Sequence, residues 1–258
     1  MRTRTVLLGL SVLAVLLVLG GPGMVAQAAA ATPITSCTSI MEPGAYELVQ
    51  NLQSWGGDCL MVQAEFVTID LKGYGIFGSG RSGTGVSGMG RGLVVRGGTI
   101  YSFYTAIRGG ESLVVEQMRL VSNSIGVDAG NGPMTASVVV KDSVLSDNSQ
   151  WGVAVNSGVV TGNSFTRNGT GVMAGMYGYG GSGATIANNS FVQNNTGIQT
   201  QGTAAIRNNT IDGGNTGLWV SCPAHIVGNT VLRAGTPLMV QNNQVWDCTF
   251  EHNSIRQY

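Results

Sequence analysis

The sequence predicts an all-β fold, a single right-handed parallel β-helix of about eight or nine coils, on three observations. A short pattern, apolar-x-x-Asn-x-apolar, returns about every 20 residues. A Gly-apolar step returns with it, once per copy. The composition is that of a chain which turns often and exposes few charges: 40 of 258 residues are Gly and only 10% are charged, against the roughly 25% usual for globular domains.

The pattern is clearest in Val160-Thr-Gly-Asn163-Ser-Phe165, Ile186-Ala-Asn-Asn189-Ser-Phe191, Ile206-Arg-Asn-Asn209-Thr-Ile211, Ile226-Val-Gly-Asn229-Thr-Val231 and Phe250-Glu-His-Asn253-Ser-Ile255. Degenerate copies place Gly98, Met118 and Ser143 at the Asn position, with Tyr74 as a further member. The anchors 98, 118, 143, 163, 189, 209, 229 and 253 are spaced by 20, 25, 20, 26, 20, 20 and 24 residues. The second half of each unit is Gly126-Val127, Gly152-Val153, Gly171-Val172, Gly197-Ile198 or Gly217-Leu218, with Thr105-Ala-Ile107 and Thr236-Pro-Leu238 as looser members. A second Asn follows the anchor by five residues at Asn123, Asn148, Asn168 and Asn194. The unit reads as strand, turn, strand, Gly turn, strand.

A unit of about 20 residues cannot bury its own apolar side, so it stacks on copies of itself. Coiling brings equivalent residues one strand spacing apart, about 4.8 Å. Val95, Val115, Val140, Val160, Ile186, Ile206, Ile226 and Phe250 then form one inward column, and Ile107, Val127, Val153, Val172, Ile198, Leu218 and Leu238 another. Each such side chain, fully buried, contributes roughly 1.5–3 kcal/mol. The anchors Asn163, Asn189, Asn209, Asn229 and Asn253 are expected to form a structural ladder, bonding amide to amide in the tight turns. Leucine-rich repeats have a similar period, but their Leu-x-x-Leu-x-Leu signature is absent, and a β-sandwich would not hold Asn at one phase.

The termini divide the chain further. Met1-Arg2-Thr3-Arg4, an apolar run from Val6 to Leu19 and the small-x-small triplet Ala26-Gln27-Ala28 read as a secretory signal peptide over residues 1–28, cut between 28 and 31. A retained anchor is the alternative, but the run is shorter than the ~20 residues a span requires. Removing Arg2 and Arg4 leaves 13 − 2 = 11 basic against 13 acidic residues, a net charge of −2. That balance excludes the basic field a nucleic-acid partner needs. Export puts Cys37, Cys59, Cys222 and Cys248 in an oxidising compartment, where an even count implies two bridges. Proximity favours Cys37–Cys59 and Cys222–Cys248 among three possible pairings. Residues 32–66 read as an N-terminal cap segment and 67–258 as the β-helix. Localisation is expected to be secreted or extracellular, or periplasmic where the source has an outer membrane.

The unit Asn-x-apolar-x-x-Asn-x-x-Gly-apolar, best seen in Asn163–Val172 and Asn189–Ile198, resembles the right-handed β-helix repeat superfamily related to pectin lyases. The opening, from Ile34 through Ser36-Cys37, Pro43-Gly44-Ala-Tyr46 and Asp58-Cys59 to Val67-Thr-Ile-Asp-Leu-Lys-Gly73, resembles secreted bacterial members. The resemblance covers about residues 34 to 258. It implies the fold but no one activity, since the superfamily includes lyases, hydrolases, epimerases, binding proteins and structural spikes.

Candidate chemistry is found by phase. Two positions before the anchor stand Lys72, Arg96, Glu116, Lys141, Thr161, Ala187, Arg207, Val227 and Glu251. One position after the Gly-apolar step stand Arg108, Asp128, Ala154, Met173, Gln199, Trp219 and Met239. Arg96, Glu116, Lys141, Arg108 and Asp128 are therefore the candidate catalytic residues, and surface charge pairing between rungs is the plainer reading. Two long spacings come from insertions at one corner, Ala129–Ser137 and Gly175–Gly183. Tyr177 and Tyr179 in the second, with Trp246 near Cys248, are candidate sugar-stacking residues, unless the loops merely cover the outward stripe of Val94, Val114, Val139 and Val159. The acids Asp70, Glu116, Asp128, Asp142 and Asp147 come closest to sharing a face, but no pair sits together in a motif, as a hydrolase requires.

No cofactor and no metal site is expected. The superfamily also includes periplasmic proteins linked to copper insertion, but only His225 and His252 are present here and the Met residues read as packing and surface. The expected role is a carbohydrate-contacting or structural protein of the cell surface, with a polysaccharide lyase, epimerase or glycoside hydrolase as the alternative. The expected partner is a polysaccharide. Self-association through the C-terminal end is open but not favoured.

Overall fold

A computed structural model describes residues 30–130, 137–175, 183–241 and 247–256. They form a parallel β-solenoid of about ten turns, with no helix among the described residues. Each full turn crosses three sheets. In one early turn these crossings are Val67–Asp70 in the first sheet, Gly75–Phe77 in the second and Thr84–Gly88 in the third. Every strand pairs in parallel with its equivalent one turn away, giving sheets of 11, 10 and 10 strands. Residues 32–66 take part, with Thr32–Ile34 and Gly44–Leu48 in the first sheet, Leu52–Gln53 in the second and Thr38–Ile40 and Leu60–Val62 in the third. These strands extend the solenoid beyond the eight or nine coils visible in the repeat.

Both apolar columns stand in register. Val95, Val115, Val140, Val160, Ile186, Ile206, Ile226 and Phe250 are consecutive partners in the first sheet. Ile107, Val127, Val153, Val172, Ile198, Leu218 and Leu238 are consecutive partners in the third. The second sheet adds a third column, in which Phe165 and Phe191 stack with ring centroids 4.7 Å apart. The two bridges join Cys37 to Cys59 and Cys222 to Cys248, at the two ends of the solenoid.

Two details of the unit differ from expectation. The Gly of the Gly-apolar step is not in a turn. Gly126, Gly152, Gly171, Gly197 and Gly217 are each the second residue of a third-sheet strand. They are glycine because of close approach: a Cβ at Gly171 would lie 2.6 Å from both Gly197 O and Phe191 Cδ1, and one at Gly152 would lie 2.8 Å from Phe165 Cδ1. The large second-sheet side chains fill the space a side chain would need. Secondly, Asp70 rather than Lys72 is the register partner of Arg96. Gly75 comes five positions after Asp70, against three from Arg96 to Thr99, the partner of Gly75, so two extra residues in that turn carry Lys72 out of phase. Tyr74 keeps the backbone place of Gly98, its carbonyl accepting from the Thr99 N–H, but its side chain is exposed and Leu71 fills the interior instead.

Candidate functional site

The corner from first to second sheet is made the same way in successive turns. A residue in the left-handed region, at Asp142, Gly162, Asn188, Asn208, Gly228 and His252, bends the chain sharply. Gly, Asn and Asp suit this conformation because they avoid or offset the Cβ clash that disfavours it elsewhere. The next residue turns inward, and here the Asn ladder forms. Asn189 Nδ2 donates to Val160 O and to Asn209 Oδ1, while Asn189 Oδ1 accepts from both the backbone N–H and Nδ2 of Asn163. Asn209, Asn229 and Asn253 continue the chain of bonds. A second ladder, Asn123, Asn148, Asn168 and Asn194, closes the next corner in the same way.

The ladder fixes what lies outside it. Immediately after each anchor comes an outward residue of the second sheet, and Val144, Ser164, Ser190, Thr210, Thr230 and Ser254 are successive register partners. The first four of them, Val144, Ser164, Ser190 and Thr210, line with Asp142, Gly162, Asn188 and Asn208 an open trench of roughly 660 Å³ that runs across successive turns. Its floor is close-fitted, since a Cβ at Gly162 would lie 2.6 Å from Asp142 Oδ1, and the same fit recurs two turns after Asn188 at Gly228, where a Cβ would meet Asn208 Oδ1. Each rung thus presents a hydroxyl, an amide or a carboxylate at the strand spacing, about 4.8 Å.

This trench was not among the sequence candidates, although its signal is present. All five clear repeats carry Ser or Thr directly after the anchor Asn: Ser164, Ser190, Thr210, Thr230 and Ser254. Attention to the Asn alone passes over that regularity.

The candidate catalytic residues divide between two sheets. Arg96, Glu116 and Lys141 are consecutive partners at the trench side of the first sheet. Lys141 Nζ lies 2.9 Å from Glu116, Arg96 Nη1 lies 3.9 Å from Glu116, and Arg96 Nε lies 3.1 Å from Asp70. The Glu116 carboxylate, by hydrogen bond and charge, holds the Lys141 ammonium above its ordinary pKa. Arg108 and Asp128 are partners in the third sheet, 3.3 Å apart, with Asp128 buried behind a half-exposed Arg108 and also accepting from the Gly130 N–H. The five do not converge in one cleft. The two acids among them, Glu116 and Asp128, are each held by a neighbouring base. Asp142 and Asp147 both occupy left-handed corner positions, and Arg167 bonds Asp147 at 2.8 and 2.9 Å, holding its carboxyl below the usual range. Tyr177, Tyr179 and Trp246 lie outside the described residues. The Val94, Val114, Val139 and Val159 stripe is half-buried to exposed, whereas Asp128, Ala154 and Met173, outward in the third sheet, are buried.

A parallel β-helix with repeated Asn corners, closed at both ends by bridges, defines a class of extracytoplasmic solenoid proteins. The family model for the periplasmic copper-binding protein NosD matches residues 67–257, and the chain belongs to that family. The family is periplasmic, and the two disulfides fit an extracytoplasmic location. No curated protein matches the chain, and no solved structure matches it. No helix among the described residues is long and apolar enough to cross a membrane.

The metal in the family's description can be tested against the donors present. All four Cys are in disulfides. His225 projects from the first sheet between Ala205 and Thr249, while His252 sits at a corner one turn on. No group of three or more His, Cys, Asp or Glu side chains is placed to hold an ion among the described residues. Among the described residues the His, Cys, Asp and Glu side chains thus form no ready cluster for copper, which favours imidazole and soft sulfur ligands brought together.

Proposed function

We propose that this protein is a non-catalytic, extracytoplasmic accessory protein that holds an extended, polyhydroxylated glycan along the trench between the first and second sheets. The observation that carries the reading is repetition: Ser164, Asn188, Ser190, Asn208 and Thr210 offer similar donors and acceptors at each successive rung. A ligand that repeats along its length matches a surface that repeats along its axis. The ion-paired state of Glu116 and Asp128, on two different sheets, supports binding over bond cleavage. Copper is not carried over from the family's description, because no cluster of His, Cys, Asp or Glu among the described residues is placed to hold it.

The test is a glycan array followed by calorimetry on the best binder, with a trench-filling Asn188→Trp/Ser190→Trp variant beside the wild type. The variant is expected to lose at least tenfold in affinity while its circular dichroism is unchanged. Released oligosaccharide or new unsaturated-uronate absorbance from the wild type would instead establish an enzyme. A deletion that disturbs adhesion or surface filaments, with no glycan bound, would favour the structural role.

A further inference from the structure

We infer that the same face of the second sheet carries a ring-stacking subsite for pyranose sugars, with Phe77 and Tyr101 as its platform. The inference rests on the reading of the trench as a glycan track and gives that track an anchored end. Phe77 and Tyr101 are register partners on adjacent strands, about 4.8 Å apart along the axis. Both point outward, because Ile76 and Ile100 beside them are wholly buried. Gly75 lets the first ring lie down: a Cβ there would be 2.5 Å from Phe77 Cζ and 2.6 Å from Cε2. The ring therefore covers Gly75 and turns a face, not an edge, to solvent. Tyr101 is 42% exposed, and Tyr104 at 43% and Trp55 at 87% project from the adjoining corner.

An aromatic face carries negative potential and an apolar surface. A pyranose presents the complement, with axial C–H bonds on one face and hydroxyls around its rim. The rim has partners here, since Thr99 and the exposed Arg119 stand in the neighbouring outward file. That file runs on through Val144, Ser164, Ser190 and Thr210, so the platform joins the trench lining without a break. Three strand spacings, about 14 Å, separate Gly75 from Val144. One oligosaccharide of several sugars can rest on both.

The probes are cellohexaose, chitohexaose and hexagalacturonate, each with its dimer, titrated by calorimetry and by saturation-transfer NMR of the sugar protons. For a hexamer that binds the wild type, Phe77→Ala and Tyr101→Ala are expected to weaken affinity at least tenfold. Tyr101→Phe should stay within twofold, and Gly75→Ala, which lifts the Phe77 ring, should weaken binding several-fold without moving Tm by more than a few degrees. Axial C–H protons should receive the strongest saturation. Unchanged affinity in both alanine variants, with loss in Asn188→Trp/Ser190→Trp, would overturn the subsite and leave the trench reading standing. Loss in the alanine variants with the trench variant unaffected would support the subsite and overturn the trench. A wild type that binds none of the probes would overturn both.

Discussion

The corner between the first and second sheets is built in two ways within one molecule. In the later turns its inward position is Asn163, Asn189, Asn209, Asn229 and Asn253, each amide bonded to the next. In the earlier turns the same position is Gly98, Met118 and Ser143. Gly98 packs against Leu71, where a Cβ would come within 2.3 Å of Leu71 Cβ, and Met118 fills its space with a buried thioether. Ser143 joins the two styles: its Oγ accepts the Met118 N–H, and its own N–H donates to Asn163 Oδ1. The bend therefore does not require asparagine. It requires that the space be filled and that buried donors find acceptors, which apolar packing and amide stacking each achieve.

That contrast can be broken most sharply at Asn189. Asn189→Leu keeps the number and branching of heavy atoms but strands the Asn163 N–H in the interior. It also takes one bond each from Asn163 Nδ2, which keeps Val140 O and Thr161 O, and from Val160 O. At about 1–3 kcal/mol for the stranded N–H and about 1 kcal/mol for each of the two further bonds, a loss of roughly 3–5 kcal/mol is expected in urea unfolding. Met118→Leu, in the other style, should cost less than about 1.5 kcal/mol. Equal losses at the two positions would end the distinction. Next in size is the late-turn staple. Replacing Cys222 and Cys248 together by Ala opens a bridge spanning 26 residues and should cost about 3 kcal/mol, with hydrogen exchange rising first in the last two turns. Gly171→Ala follows, at about 1–3 kcal/mol by calorimetric Tm, because the added methyl meets Phe191 and Gly197 O. The early turns tolerate Ala106 at the equivalent position, opposite Gly126. The smallest effect concerns pH. Arg167 holds the Asp147 carboxyl below its ordinary value by hydrogen bond and charge. A depressed folded pKa stabilises the protein above the unfolded value, about 3.9, and that contribution fades as pH falls through the folded one. Arg167→Ala should thus be only slightly less stable than wild type at pH 6, the pair being so exposed, and indistinguishable once acid has protonated Asp147 in both.

The solenoid and its two apolar columns were legible because period and phase are sequence properties: Val160, Ile186 and Ile206 sit at one phase of the Asn repeat. The rest was hidden for definite reasons. Gly171 reads as a turn residue until Phe191, 20 positions on, is seen to occupy the space of its side chain. Lys72 reads as a rung partner of Arg96 until two extra turn residues shift the register to Asp70. The trench is made from outward residues of two sheets meeting at a bend, so no local segment contains it. Its only linear trace is the Ser or Thr after each anchor Asn. The charged candidates stand as neighbours along the axis at the two phases the repeat assigns them, but sequence could not say whether those two phases face one cleft.

Uniform stacking also sets how such a molecule can change size. Since Asn189 meets above and below it the same amide it offers, a duplicated stretch of twenty residues finds its partners already in place. The chain can then lengthen or shorten by whole increments while every existing contact survives. The reach of its outer surface becomes a quantity that duplication adjusts in steps, much as links are added to a measuring chain.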